Sequence, residues 1–161
     1  MKTLLFALFL TTFSVTVMAQ QSPQVGLDMP KAIFYKTNGT NFSTDQIPKG
    51  TKSLIMLFDA TCEHCQKVAR NISKRSKELN NVNFYLISQD EMRSINYFMD
   101  NFGKLLKTMK NVTILQDKDH VFIPMFHPKQ YPSLYLYGKD KKLEFYSCDE
   151  RDVSKFFSRI K

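Results

Sequence analysis

The chain has no tryptophan and only 5 glycines, 6 prolines and 3 cysteines in 161 residues. So little Gly and Pro excludes collagen-like and low-complexity architectures, and three cysteines are too few for a small domain stapled by disulfides. Disorder is excluded too: 43% of residues are hydrophobic against 24% charged. That is enough apolar mass to offset the entropy of ordering the chain. The length suits one domain, and neither an internal repeat nor a linker divides it. Basic residues outnumber acidic ones for a formal charge of +8. The lysines are scattered rather than stacked on one periodic face, which reads as a solvated surface, and no nucleic-acid partner is expected.

The N-terminus predicts a compartment. Met1-Lys2 precedes the apolar run from Leu4 to Leu10, and small or aliphatic residues lead to Ala19. This is the pattern of a secretory signal peptide over residues 1–19, followed by an extended leader over 20–30 and a domain over 31–161. A membrane anchor is the competing reading, but Thr11, Thr12, Ser14 and Thr16 dilute the stretch, so no stable anchor is expected.

Ala32–Lys36 and Thr40–Phe42 flank Asn38-Gly39, which predicts a hairpin with a type I′ turn. Ser43 can cap a short helical turn before Pro48. Ser53–Phe58 is continuously apolar, as in a strand covered on both faces, and Val82–Ile87 reads the same way. Between them a helix is expected to about Leu79. A single amphipathic helix is expected from Met92 to Met109, because Met92, Ile95, Phe98, Met99, Phe102, Leu105, Leu106 and Met109 recur at three- and four-residue steps. Short strands at Val112–Leu115, Pro132–Tyr137 and Lys142–Ser147 follow, with a last helix from about Asp149. The order predicts an α/β domain with a mixed sheet.

The chemically loaded feature is Cys62-Glu63-His64-Cys65, placed between a buried strand and a helix. Unpaired N–H groups and the dipole of a helix N-terminus favour an anion, so the first thiol becomes a nucleophile and the second can resolve a mixed disulfide. His64 adds a donor or positive charge near Cys62, and Glu63 opposes it; the sequence does not rank the two. A structural zinc site would need two further ligands. Cys148, His120 and His127 are far downstream and unpaired at ligand spacing, which favours redox chemistry. Tyr131-Pro132 opens a strand and is a candidate cis peptide.

These segments together resemble the thioredoxin superfamily, and more narrowly its exported TlpA/ResA-type branch, over roughly residues 30 to 161. The resemblance implies a thioredoxin-like fold, a mixed central sheet flanked by helices with an N-terminal β-hairpin extension. It implies an exported, periplasmic thiol–disulfide oxidoreductase in which Cys62 attacks and Cys65 resolves, while Tyr131 and Pro132 hold substrate backbone. Its partners would be disulfide-containing proteins and an upstream electron donor, and no cofactor beyond the Cys62–Cys65 disulfide is expected. The chain departs from the pattern at Thr61, where Trp is common, and at Met56 and Val68, where relatives place an acid that serves the second cysteine. Asp59 and Glu63 are the nearest substitutes. His64 is also similar to its counterpart in strongly oxidising relatives such as DsbA, so the direction of electron flow stays open. The alternative function is a copper-delivery module of the same fold, using Cys62, Cys65 and His127 or His120, since soft thiolates suit Cu(I).

Two further features stand apart. Cys148 is expected to be a buried, inert thiol. Four N-x-S/T sequons, at Asn38, Asn41, Asn71 and Asn111, are candidate glycosylation sites.

Overall fold

The computed structural model describes residues 22–160, so the expected signal peptide over 1–19 and the start of the leader lie outside the described residues. The first strands, β1 (Ile33–Lys36) and β2 (Asn41–Ser43), form the expected hairpin with a different turn. Gly39 N–H donates to Lys36 C=O, and Lys36 N–H donates to Thr40 C=O, enclosing a three-residue loop. Only Gly39, at φ +80°, is left-handed there. This is a type I turn closed by a glycine bulge rather than the expected type I′ turn. Asn38 contributes its side chain instead, accepting from the N–H and hydroxyl of Thr40. Ser43 and Gln46 then form a reciprocal capping box on the one-turn helix Thr44–Gln46.

The unit β3 (Lys52–Leu57), α1 (Glu63–Lys74), β4 (Val82–Ser88) is right where the apolar pattern puts it, although the expected helix to Leu79 ends at Lys74 and resumes as the 3-10 turn Ser76–Leu79. The expected helix from Met92 to Met109 is two: α2 (Met92–Phe102) and α3 (Lys104–Lys107), separated at Gly103. Periodicity persists across the break because both pieces cover the same core, but glycine lacks the helix preference to carry the rod through. Beyond the break Leu105 is exposed while Leu106 is buried.

The remaining elements are β5 (Val112–Gln116), α4 (Phe122–Phe126), β6 (Ser133–Tyr137), β7 (Leu143–Ser147), a 3-10 turn at Glu150–Asp152 and α5 (Val153–Ile160). They complete one seven-stranded sheet in the order β2-β1-β5-β4-β3-β6-β7. β3 and β4, and β4 and β5, pair in parallel; the other neighbours are antiparallel. This is an α/β fold with a mixed sheet, as the element order predicts, and it is the thioredoxin-like fold that the resemblance implies.

Alternation along β3 explains its unbroken apolar run. Leu54, Met56 and Phe58 face one core with Val68, Ile72, Phe98 and Phe156. Ile55 and Leu57 face a second with Phe34, Tyr85, Phe122 and Tyr135. Each side of the sheet therefore has its own apolar layer, and β3 belongs to both. The C-terminal ends of parallel strands β3, β4 and β5 meet at one edge, where crossover loops leave room for chemistry.

Candidate active site

Cys62 is the N-cap of α1 and is half-buried, whereas Cys65, one turn along, is fully buried. The loop before the helix is fixed by two carboxylates. Asp59 Oδ1 accepts from the Thr61 N–H (2.7 Å), the Thr61 hydroxyl (2.7 Å) and the Cys62 N–H (3.1 Å). Asp90 Oδ2 accepts from the Ala60 N–H (2.7 Å) and the Ser88 hydroxyl (2.8 Å). Three consecutive N–H groups, from Ala60 to Cys62, are thus held by charged acceptors, the stronger kind of hydrogen bond.

The Cys62 thiol lies close enough to Cys65 to shift its ionisation, so the two are near the geometry a disulfide needs. Burial pushes the Cys65 thiol far up. A hydrogen bond from the Asp59 backbone opposes that shift, while the Cys62 thiol and the Asp59 charge add to it. Cys65 is accordingly a neutral thiol at neutral pH, and exposure marks Cys62 as the sulfur a substrate can reach. Met56 is fully buried in the apolar core and Val68 is 1% exposed, so no acid stands at either of those positions. Glu63 is solvent-exposed on the first turn of α1.

Across from the cysteines the Tyr131-Pro132 peptide is cis. Pro132 and Tyr131 line a groove of about 460 Å³ with His64, Gln130, Cys148 and the turn 149–151. Tyr131 Oη donates to Gln89 Oε1 (3.3 Å), and Gln89 Nε2 donates to Asp117 Oδ2 (2.9 Å). Burial, and then the charges of Asp59, Asp90 and Asp117, push the Tyr131 phenol up, so it stays a donor. Cys148 is half-exposed on the wall of this groove, which corrects the expectation of a buried thiol. Cys148 lies just past the end of β7, outside the strand that would have buried it, and Gln130 Nε2 donates to its carbonyl at 3.2 Å.

The structure brings Asp59, Cys62, Cys65, His64, Tyr131 and Pro132 to one end of the sheet. It also brings Gln89, Asp90 and Glu150, which the sequence reading did not single out. The triplet Ser88-Gln89-Asp90, polar and directly after a buried strand, is a signal for the first two; Glu150 has none. His64 Nδ1 lies 2.8 Å from Glu150 Oε2, turned toward the 3-10 turn before α5. Among the described residues no three His, Cys, Asp or Glu side chains gather as a metal site. His120 is exposed at φ +54° after β5, and His127 ends α4 at φ +50°. Of the sequon asparagines, Asn38, Asn41 and Asn71 are exposed, while Asn111 Nδ2 donates to the carbonyls of Leu79 and Val82. No described helix is long and apolar enough to cross a membrane.

Residues 20–146 match the model of the AhpC/TSA family. No curated protein matches the chain by sequence. Among solved structures, a secreted Mycobacterium tuberculosis disulfide oxidoreductase homologous to Escherichia coli DsbE is 18% identical, with a TM-score of 0.65 over 80% of this chain and 95% of that one. The thioredoxin domain of a Bacteroides vulgatus thiol-disulfide oxidoreductase is 15% identical, with a TM-score of 0.68 over 86% and 98%. A peroxiredoxin-like protein from Aquifex aeolicus is 12% identical, with a TM-score of 0.68 over 88% and 90%. At these identities the likeness is one of fold.

Proposed function

The chain belongs to the AhpC/TSA family, and from that premise we propose that it is an exported thiol–disulfide oxidoreductase of the TlpA/ResA type that reduces protein disulfides. The observation that carries this reading is the pairing of a half-exposed Cys62 at a helix N-cap with a fully buried Cys65 close to it, beside a cis Tyr131-Pro132. The Cys62 sulfur attacks a substrate disulfide, forming a mixed disulfide and releasing one substrate thiolate. Cys65 loses its proton and attacks the Cys62 sulfur, closing the Cys62–Cys65 disulfide and releasing the second substrate thiol. Two electrons pass to the substrate, and an upstream dithiol donor must return them. Tyr131 and Pro132 would hold the substrate backbone in the groove, and the reaction needs no cofactor.

Export rests on the pattern of residues 1–19, and the periplasmic location on the resemblance to the TlpA/ResA-type branch. N-terminal sequencing of the exported protein should find Gln20 first.

The deciding experiment is a redox titration of the purified, metal-free protein with mass-spectrometric counting of free thiols. A reversible two-electron Cys62–Cys65 couple near or below about −250 mV is expected. Cys62→Ser should abolish disulfide reduction, and Cys65→Ser should trap the mixed disulfide on Cys62. A couple near about −150 mV would reverse the direction to an oxidant. Stoichiometric Cu(I) with no reversible couple would favour the copper-delivery alternative through Cys62, Cys65 and His127 or His120. The family match also favours a second reading, in which Cys62 reduces a peroxide. Consumption of hydrogen peroxide that depends on Cys62 and outpaces disulfide reduction would put that reading first.

A further inference from the structure

We propose that Glu150 is a positioning residue for the redox couple: it holds the His64 imidazole, two residues after Cys62, and sets a carboxylate's negative charge there, keeping the pair more reducing than the motif would be without it. This rests on the reading of Cys62 and Cys65 as that couple.

The charges of the turn after β7 are otherwise satisfied locally. Asp149 is paired by the Arg151 guanidinium (2.6–3.0 Å), and Asp152 by Lys155 (2.7 Å) and the Ser147 hydroxyl (2.9 Å). Glu150 is the acid of the turn that reaches α1, where it pairs with His64, between the two cysteines in sequence. Facing His64 across the groove are Tyr131, Cys148, Asp149 and Arg151. On its own helix the neighbouring charges are Glu63 and Lys67.

Reduction of the disulfide takes two electrons and two protons, and one proton leaves again when Cys62 ionises. A cation beside Cys62 favours that thiolate, hence the reduced form, and makes the couple more oxidising. A carboxylate 2.8 Å from the imidazole sets a negative charge against whatever positive charge the ring carries and so opposes that bias. His64 is 63% exposed and Glu150 34%, so water screens the interaction and a few-fold effect is the right scale.

The test is the equilibrium in which two glutathiones reduce the protein disulfide to the dithiol and give one glutathione disulfide. It is measured at pH 7 for the wild type, E150Q, H64Q and the double variant. Glu150→Gln keeps an acceptor of the same shape and is expected to raise the equilibrium constant about threefold, while the same change in the H64Q background has a clearly smaller effect. The pH profile of Cys62 alkylation should move to lower pH in E150Q, and Glu150→Asp should return it toward the wild type. An unchanged constant in E150Q, or equal changes in both backgrounds, would overturn the proposal and leave the oxidoreductase reading standing. A wild type with no reversible couple would instead remove the reading beneath it.

Discussion

At the scale of single residues, the two cysteines and the cis-proline could be read from the chain because each carries a local signature: spacing, a preceding strand, an X-Pro bond. Glu150 and Asp90 could not, because each is one polar residue whose meaning comes from a partner 86 or 30 positions away. Asp59 is the instructive intermediate case. The sequence offers it as the acid that serves Cys65, yet its Oδ1 already accepts three hydrogen bonds that open α1, and its charge pushes the Cys65 thiol up. Asp59→Asn retains the acceptor oxygen and removes the charge. It should therefore move the pH–rate profile for resolution of a Cys62–glutathione mixed disulfide by Cys65 toward lower pH. A carboxylate acting as proton acceptor for Cys65 would give the opposite sign, slower resolution at neutral pH, and stopped-flow measurement between pH 6 and 9 separates the two.

At the scale of elements, strands were legible wherever a run was apolar on both faces, and helices wherever a three-to-four repeat continued. Their ends were not, because ends depend on backbone geometry that the hydrophobic pattern does not encode. Gly103 interrupts a stripe whose periodicity continues past it, and Asn38-Gly39 serves a turn in which only the glycine needs a positive φ. The short helix α4 is the clearest example of an element made by one side chain. Asp117 is fully buried and accepts from the N–H groups of Val121 and Phe122 and from the Gln89 amide, each at 2.9 Å. Asp117→Ala leaves three donors without their acceptor and should cost about 2–4 kcal/mol. The loss is read as a fall in the urea midpoint. The same change frees Gln89 from one end of its link to Tyr131, so KM for a disulfide peptide should rise more than kcat falls. A variant as stable as the wild type would mean that α4 does not depend on this cap.

At the scale of the whole molecule, the sheet divides the interior into two apolar layers, and the second is rich in tyrosine. Burial pushes the Tyr85 phenol up to about 12, and Tyr135 and Tyr137 higher still; Cys65, in the first layer, is pushed up by the same cause. In the unfolded chain these groups ionise near their ordinary values, about 10 for tyrosine and 8.5 for cysteine. The folded state thus holds its protons longer, and the stability tied to them is complete below about pH 8.5 and is lost as the pH rises toward 12. Lysines lose charge over the same range, which relieves the self-repulsion of a chain at +8. That relief is spread over screened surface groups, whereas Tyr85 alone is worth on the order of 2 kcal/mol. The urea midpoint of the reduced protein should therefore fall between pH 9 and 11, and Tyr85→Phe should flatten the fall. Oxidation removes Cys65 as an ionising group, so the disulfide form should lose less stability than the dithiol form across that interval. Parallel curves for the two redox forms would mean that the buried thiol contributes nothing to the alkaline limb and that the tyrosine layer alone accounts for it.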